Sequence, residues 1–219
     1  VLIAGKPIAM PLVKENADVV LVQWYAGEKQ GCTLADILLG KVNPSGKLNV
    51  SFPRSTGNTP CFYNHFVTDR EESFDQPGTP EEPKGHYIFD KPEPLWNFGH
   101  GKSYTTFDYV DCALSDTLLV ASDTLKVSVT IKNTGRRDGK EVVQLYVRDK
   151  VSTVATPIQQ LKAFQKVLIK PGESQCVELS LPIAELALYN AKMEEVVEPG
   201  DFEIQIGAAS DDIRFKKTI

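Results

Sequence analysis

Hydrophobic and polar positions follow two different periods along this chain. In the C-terminal half, Leu125, Val127, Val129 and Ile131 alternate with polar residues. Val143, Leu145 and Val147 do the same, as do Val177, Leu179 and Leu181, and then Phe202, Ile204 and Ile206. A period of two marks strands with one buried face. Asn133-Thr134-Gly135, Lys170-Pro171-Gly172-Glu173 and Pro199-Gly200-Asp201 supply the intervening turns. About seven short strands in roughly 115 residues predict an immunoglobulin-like β-sandwich over Lys102–Ile219. The Trp and paired Cys of antibody domains are missing from their places, which points to a fibronectin type III-like variant.

The N-terminal stretch, Val1 to Pro60, reads differently. Val1–Ala4 is strand-like, and Asp18–Trp24 is a continuous apolar run of the kind covered on both faces. Within Gly27–Gly40, Leu34, Ile37 and Leu38 share one helical face, and Gly40 stands where a glycine ends a helix. Asn43-Pro44-Ser45-Gly46 has type I turn composition. Leu48, Val50 and Phe52 then alternate as a strand. Strand, helix, strand argues for part of an α/β layered domain. The fold expected is therefore mixed: a partial α/β sandwich segment over residues 1–60, a linker over 61–101, and an all-β sandwich over 102–219. Within the linker, Asp69–Lys84 carries six acids against two bases and is punctuated by Pro77, Gly78, Pro80 and Pro83, so it is expected to be a solvated, mobile loop. Its acids lack the order of a Ca²⁺ loop.

Composition narrows the function classes. Of 219 residues, 24 are basic and 29 acidic, for a net charge of −5, a poor balance for binding nucleic acid. No apolar stretch approaches the ~20 residues of a membrane span. The chain opens at Val1, in a strand-like segment with no signal-peptide pattern, and so reads as a piece of something longer. Cys32, Cys61, Cys112 and Cys176 are widely spaced, without a metal-ligand pattern; they read as separate, mostly buried thiols, with a disulfide left open.

Nucleophile, zincin, P-loop and dinucleotide motifs are all missing, and His65, His86 and His100 lack a Ser or Cys partner at motif spacing. No catalytic residue, metal site or cofactor is expected. Asn49-Val50-Ser51 is a formal glycosylation sequon but lies inside an expected strand. Three residues stand out as candidates for a substrate rim. Trp24 and Glu28 follow a strand directly, where ligands gather in open α/β sheets. A Trp beside an acid suits sugar stacking and hydroxyl recognition. Equally, Trp24 is read as core and Glu28 as a charge favouring a helix N-terminus. His100, in the Gly-flanked turn Phe98–Gly101, is either a rim residue at a neighbouring cleft or a hydrogen-bonded loop histidine.

Several segments also resemble glycoside hydrolase family 3. Val1–Pro7 resembles its V-L-x-x-G-x-P strand and turn. Trp24–Glu28 through Ala35–Gly40 is similar to W-x-P-G-x-E-G-G-x-A-I-A-D-V-L-F-G. Lys41–Pro53 resembles x-x-N-P-S-G-K-L-P-x-T-F-P, and Trp96–Phe107 resembles x-P-F-G-Y/H-G-L-S-Y-T-x-F. Asn133–Gly135, Glu141–Val147, Pro157–Val167 and Lys170–Glu173 are similar to the family's fibronectin-like domain. The resemblance implies a β-glucosidase or β-xylosidase with a barrel, an α/β sandwich and a fibronectin type III-like domain, and a retaining two-carboxyl mechanism. The family's nucleophile Asp belongs to the barrel and its acid/base Glu to a loop upstream of the first strand matched here, so neither is carried over. The resemblance also implies a carbohydrate substrate acted on through the complete enzyme, an upstream catalytic domain as partner, and a periplasmic or secreted address. Ala26 departs from the usual Pro, Lys29–Cys32 from the small turn, and Lys102 from the common Leu. Apolar strands without sheet neighbours add a homodimer through an exposed edge. The alternative is a stand-alone carbohydrate-binding or interaction module on a fibronectin-like sandwich.

Overall fold

The computed structural model describes residues 1–66, 79–82, 91 and 93–219. Two short helices come first: α1 (Pro11–Asn16) and α2 (Gln30–Leu38). Among the described residues, nine strands follow: β1 (Phe107–Leu114), β2 (Thr124–Asn133), β3 (Gly139–Asp149), β4 (Gln160–Ile169), β5 (Ser174–Pro182), β6 (Leu188–Tyr189), β7 (Glu195–Val196), β8 (Phe202–Ala209) and β9 (Asp212–Thr218). Antiparallel pairing arranges them as a three-stranded sheet, β1-β2-β5, and a four-stranded sheet, β4-β3-β8-β9, with β6 and β7 as a separate small hairpin.

The core lies between the two larger sheets. Leu125, Val127, Val129 and Ile131 of β2 are fully enclosed, and meet Val143, Leu145, Ile204 and Ile206 from the opposite sheet. The alternation in sequence thus marks the inner faces, and each such side chain contributes about 1.5–3 kcal/mol through burial. Where the sheet ends would leave polar groups stranded, side chains close them. Asn133 is completely buried at the end of β2. Its Oδ1 accepts from the Thr105 hydroxyl at 2.7 Å and the Gly135 N–H at 3.0 Å. Its Nδ2 donates to the carbonyls of Arg137 at 2.8 Å and Ile169 at 2.9 Å.

The outer face of β3 is covered too. Gln144 and Tyr146 alternate with the inner-face residues, yet are 3% and 0% exposed. Tyr63 packs edge-on to Tyr146 at 6.0 Å and stacks on Phe98 at 4.2 Å. The segment before the sandwich therefore lies on its four-stranded sheet.

The N-terminal stretch is less regular than its pattern predicts. Val1–Ala4 and Asp18–Trp24 meet in a single parallel bridge, Leu2 to Val22, with backbone bonds of 2.8 and 2.9 Å. The apolar run is not a full strand, because a parallel ladder needs lateral partners and only residue 2 supplies one. Helix α1, absent from the expectation, begins with Pro11 in its first turn, where the missing N–H costs nothing. Helix α2 falls where expected. Gly40 takes a φ of 71°, and its N–H bonds to the Ile37 carbonyl while that of Lys41 bonds to Asp36, both by the Schellman pattern.

Residues 43–46 do not close the expected turn. Asn43 bonds across the chain instead: its Oδ1 accepts from the Ser103 hydroxyl and the Tyr104 N–H, and its Nδ2 donates to Asp138 O. Residues 48–52 pair irregularly with 95–100, through bonds such as Phe52 N–H to Trp96 O at 2.8 Å and Gly99 N–H to Leu48 O at 2.7 Å.

The expected acidic loop Asp69–Lys84 lies outside the described residues except for residues 79–82, and His86 lies outside them as well. The four cysteines are separate and unbridged, but only Cys112 is buried; Cys32 and Cys176 are exposed, which corrects the expectation of mostly buried thiols. Cys32 sits on α2, none of whose residues is buried, and Cys176 points away from the core of β5. Among the described residues, no helix is long and apolar enough to cross a membrane, and no acid, His and Cys side chains gather as a metal site.

Candidate functional site

The turn at residues 97–101 is held in place by the sandwich. Gly99 adopts a φ of 81°, in the left-handed region that favours glycine. A Cβ there would run into Gln144 Oε1 and press on Ala209 Cα and Tyr146 Oη at 3.0 Å. Gln144 Nε2 donates to the carbonyls of Gly99 at 3.4 Å and Ala208 at 2.6 Å, and Tyr146 donates its hydroxyl to Gln144 Oε1. The Ser210 N–H bonds to Phe98 O at 3.0 Å, and the buried Ser51 hydroxyl accepts from the Phe98 N–H at 3.2 Å. The buried polar pair on β3 thus fixes the backbone that presents His100.

His100 lines a cleft of about 360 Å³ at the meeting of α1, the 93–100 segment and the β8–β9 turn. Its basic side chains are Lys14, Arg54 and Lys91, and its acids are Glu93 and Asp211. Lys14 donates to Leu95 O while its Nζ sits 5.7 Å from the centre of the Trp96 ring. Asn97 Nδ2 donates to Asp211 Oδ2 at 2.6 Å. Among the described residues, Glu93 Oε2 is buried without a hydrogen-bond partner. Burial holds the His100 imidazole below its ordinary pKa, and the positive charge of Lys102 adds to this. Asp211 opposes the shift, while Lys47 and Lys14 reinforce it. The ring is accordingly neutral at pH 7, able to donate from one nitrogen and accept at the other.

Of the three residues singled out from sequence, only His100 lines this cleft. Trp24 is half-buried and packs on Phe52 at 5.7 Å, and the fully buried Phe52 meets Trp96 edge-on at 5.8 Å. Trp24 therefore reaches the cleft only through a second ring. Glu28 is exposed in the turn before α2, outside the cleft. Sequence reading passed over Lys14, Glu93 and Asp211. Nothing local marks them, since Asn97 and Asp211 lie 114 residues apart.

Fold and cleft together define a fibronectin type III-like sandwich joined to an α/β segment. Residues 1–104 match the family model described as the glycosyl hydrolase family 3 C-terminal domain, and residues 141–210 match that of the fibronectin type III-like domain. The chain belongs to glycoside hydrolase family 3 and carries these two C-terminal units. It is 39% identical over 213 residues to a periplasmic beta-glucosidase of Salmonella typhimurium, covering 96% of this chain and 27% of that protein. It is 40% identical over 216 residues to a beta-xylosidase of Formosa agariphila, covering 98% of this chain and 28% of the relative. Among solved structures, the beta-glucosidase from Listeria innocua in complex with isofagomine superposes with a TM-score of 0.89 at 36% identity, over 99% of this chain and 30% of that one. Beta-glucosidase 3B from Thermotoga neapolitana, in complex with alpha-D-glucose, gives a TM-score of 0.79 at 36% identity, over the same shares. The chain thus spans between a quarter and a third of the length of these relatives.

Proposed function

We propose that this chain is the C-terminal, non-catalytic part of a retaining β-glycosidase that hydrolyses β-glucosides or β-xylosides. The observation that carries this reading is the match of nearly the whole chain to just over a quarter of relatives named as β-glucosidase and β-xylosidase. Retaining hydrolysis needs two carboxyl groups on either side of the glycosidic bond, about 5–5.5 Å apart. Neither residue of that pair is carried over to this sequence, so the bond-breaking step falls to a barrel and an acid/base loop elsewhere in the protein. In this reading residues 1–60 continue an α/β sandwich, 61–101 link it to the fibronectin-like unit, and 102–219 form that unit. Trp24, Glu28 and His100 are assigned in this reading to the substrate rim of the complete enzyme.

The partner of residues 1–60 is then the preceding part of the same protein. Leu12, Val19, Leu38 and Leu39 are 60–77% exposed in the chain alone. In isolation that surface favours pairing with a second copy, read from the solution mass.

The test is an assay on aryl β-glucosides and β-xylosides. The 219-residue chain alone should read as background, while the encoded protein containing it turns substrate over. Turnover by the chain alone, lost on mutating one of its own acids, would reject this reading. Saturable oligosaccharide binding by a chain encoded without a catalytic barrel would favour the stand-alone module.

A further inference from the structure

We propose that the pole of the sandwich at the Asp149 end of β3 docks a basic amphipathic polypeptide segment, one that presents aliphatic side chains flanked by Lys or Arg. The inference depends neither on the glycosidase reading nor on the surface assigned above to the preceding part of the protein.

Three loops build this pole: residues 115–123, 150–159 and 183–201. Lys47 closes on the opposite end of β3, at Glu141. Hydrogen bonds join the three loops. The Ile183 N–H donates to Asp123 O at 2.9 Å, the Lys150 N–H to Asp201 O at 3.2 Å, and the Thr153 N–H to Glu198 Oε2 at 2.9 Å. On these loops Leu118, Val120, Val151, Tyr189 and Met193 are 60–88% exposed. One exposed apolar side chain is ordinary, but five on one set of joined loops mark an interaction surface.

The loops hold these side chains outward. Leu119 packs against the core, and its neighbours Leu118 and Val120 turn out. Asp116 Oδ1 accepts from the N–H groups of Thr117 at 2.7 Å and Leu118 at 3.1 Å, and Asp123 Oδ2 from the Val120 N–H at 2.8 Å. Asn190 Oδ1 accepts from the N–H groups of Lys192 and Glu194, on either side of Met193, whose φ is 62°. Glycine takes that φ without strain. The chain instead spends a methionine there, an adaptable apolar side chain of the kind used at binding surfaces. Loops already held in place lower the ordering cost of binding.

Charge selects the occupant. The three loops carry seven acids against two lysines, a net of −5, which is also the net charge of the whole chain. The remaining residues therefore balance. Asp116, Asp123 and Glu198 accept from backbone N–H groups and, for Glu198, the Thr153 hydroxyl, all uncharged donors that leave the negative charge in place. These bonds hold Asp116 and Glu198 below the ordinary carboxyl pKa. A second copy would set the same acids face to face, and an anionic membrane or a nucleic acid is repelled likewise. A segment with Lys or Arg beside its apolar side chains matches both features of the pole.

Fluorescence anisotropy of a labelled peptide of about 18 residues, built from Leu, Ala and Lys at amphipathic helical spacing, tests this. At low salt it should bind the 219-residue chain saturably, with a Kd of about 10–100 μM. A Lys/Ser peptide of equal charge should bind about tenfold more weakly, because it buries no apolar surface. Leu118→Ser/Val151→Ser and Glu194→Lys/Glu195→Lys, all at exposed positions, should each weaken the Leu-bearing peptide about tenfold. Leu38→Ser/Leu39→Ser, at exposed positions after the start of α2, should leave it unchanged, which separates the pole from the surface of residues 1–60. No saturable binding, equal affinity for the Lys/Ser peptide, or unchanged affinity in both pole variants would each overturn the proposal. So would phosphatidylserine vesicle binding, or a dimer in solution, that Leu118→Ser/Val151→Ser abolishes.

Discussion

Lys47 Nζ lies 3.1 Å from Glu141 Oε1, and both side chains are nearly enclosed, at 13% and 7% exposure. One belongs to the stretch before the sandwich and the other to β3. Lys47 also donates to Gly101 O at 3.2 Å, and the Tyr109 hydroxyl donates to Glu141 Oε1 at 3.3 Å. Burial first, and then the Glu141 charge, raise the Tyr109 phenol well above its ordinary pKa, so it remains a donor.

Glu141→Ala removes the acceptor shared by Lys47 and Tyr109 and leaves the ammonium buried. Breaking such a pair from one side costs about 3–5 kcal/mol, whereas replacing both partners by apolar groups is often nearly neutral. Urea denaturation should therefore show Lys47→Met/Glu141→Leu to be more stable than Glu141→Ala. The reverse order would mean that the pair does not act as a buried unit.

Gly99→Ala tests the seat of the His100 turn. A Cβ at a φ of 81° meets Gln144 Oε1, whose position is fixed by Tyr146 and Ala208. Backbone strain and overpacking together should cost about 2–4 kcal/mol. Near-UV circular dichroism should also lose intensity, since Phe98, Tyr63 and Tyr146 pack as one aromatic group. Wild-type stability with an unchanged spectrum would remove Gly99 from this role.

His100 makes the fold sensitive to acid. Its folded pKa is lowered, by burial first and then by Lys102. As pH falls through about 6.5, the unfolded chain takes up a proton that the folded chain refuses. Stability contributed by the neutral ring is thus present above that pH and declines below it, until the folded imidazole itself titrates. His100→Gln should flatten this part of the profile, so thermal unfolding at pH 7.5 and pH 5 should differ less in the variant than in the wild type. Equal differences would show that the ring does not carry the effect.

The two halves should also differ in local stability. Val127, Val129, Val143 and Leu145 are fully buried within paired strands, whereas α1 and α2 bury no residue and residues 2 and 22 share one bridge. Amide hydrogen exchange on the chain should be slow at residues 127–131 and 143–147, and faster at 1–4 and 19–22. A clean monomer with equal, strong protection in both halves would contradict this.

Local pattern was enough to find the inner faces of the sandwich, because strand side chains alternate with a period of two whatever they later pack against. It was also enough to end α2 at Gly40, since a left-handed residue is a local demand that glycine meets. The same logic placed His100 in a constrained glycine turn. What faces that turn was another matter. Gln144 and Tyr146 read as an outer face, and became buried because the Gly99 turn lies against Gln144 and Tyr63 packs on Tyr146. The apolar run at 18–24 has strand chemistry, but a parallel strand exists only where neighbours supply its hydrogen bonds. Asn43 has turn chemistry, yet its amide bridges to Ser103, Tyr104 and Asp138. The cleft depends most on tertiary structure, for it brings Lys14, Glu93 and Asp211 together from distant parts of the chain. No periodicity encodes such a meeting; it arises when the 93–100 segment is packed between α1 and the β8–β9 turn, and the packing decides which charges share one space.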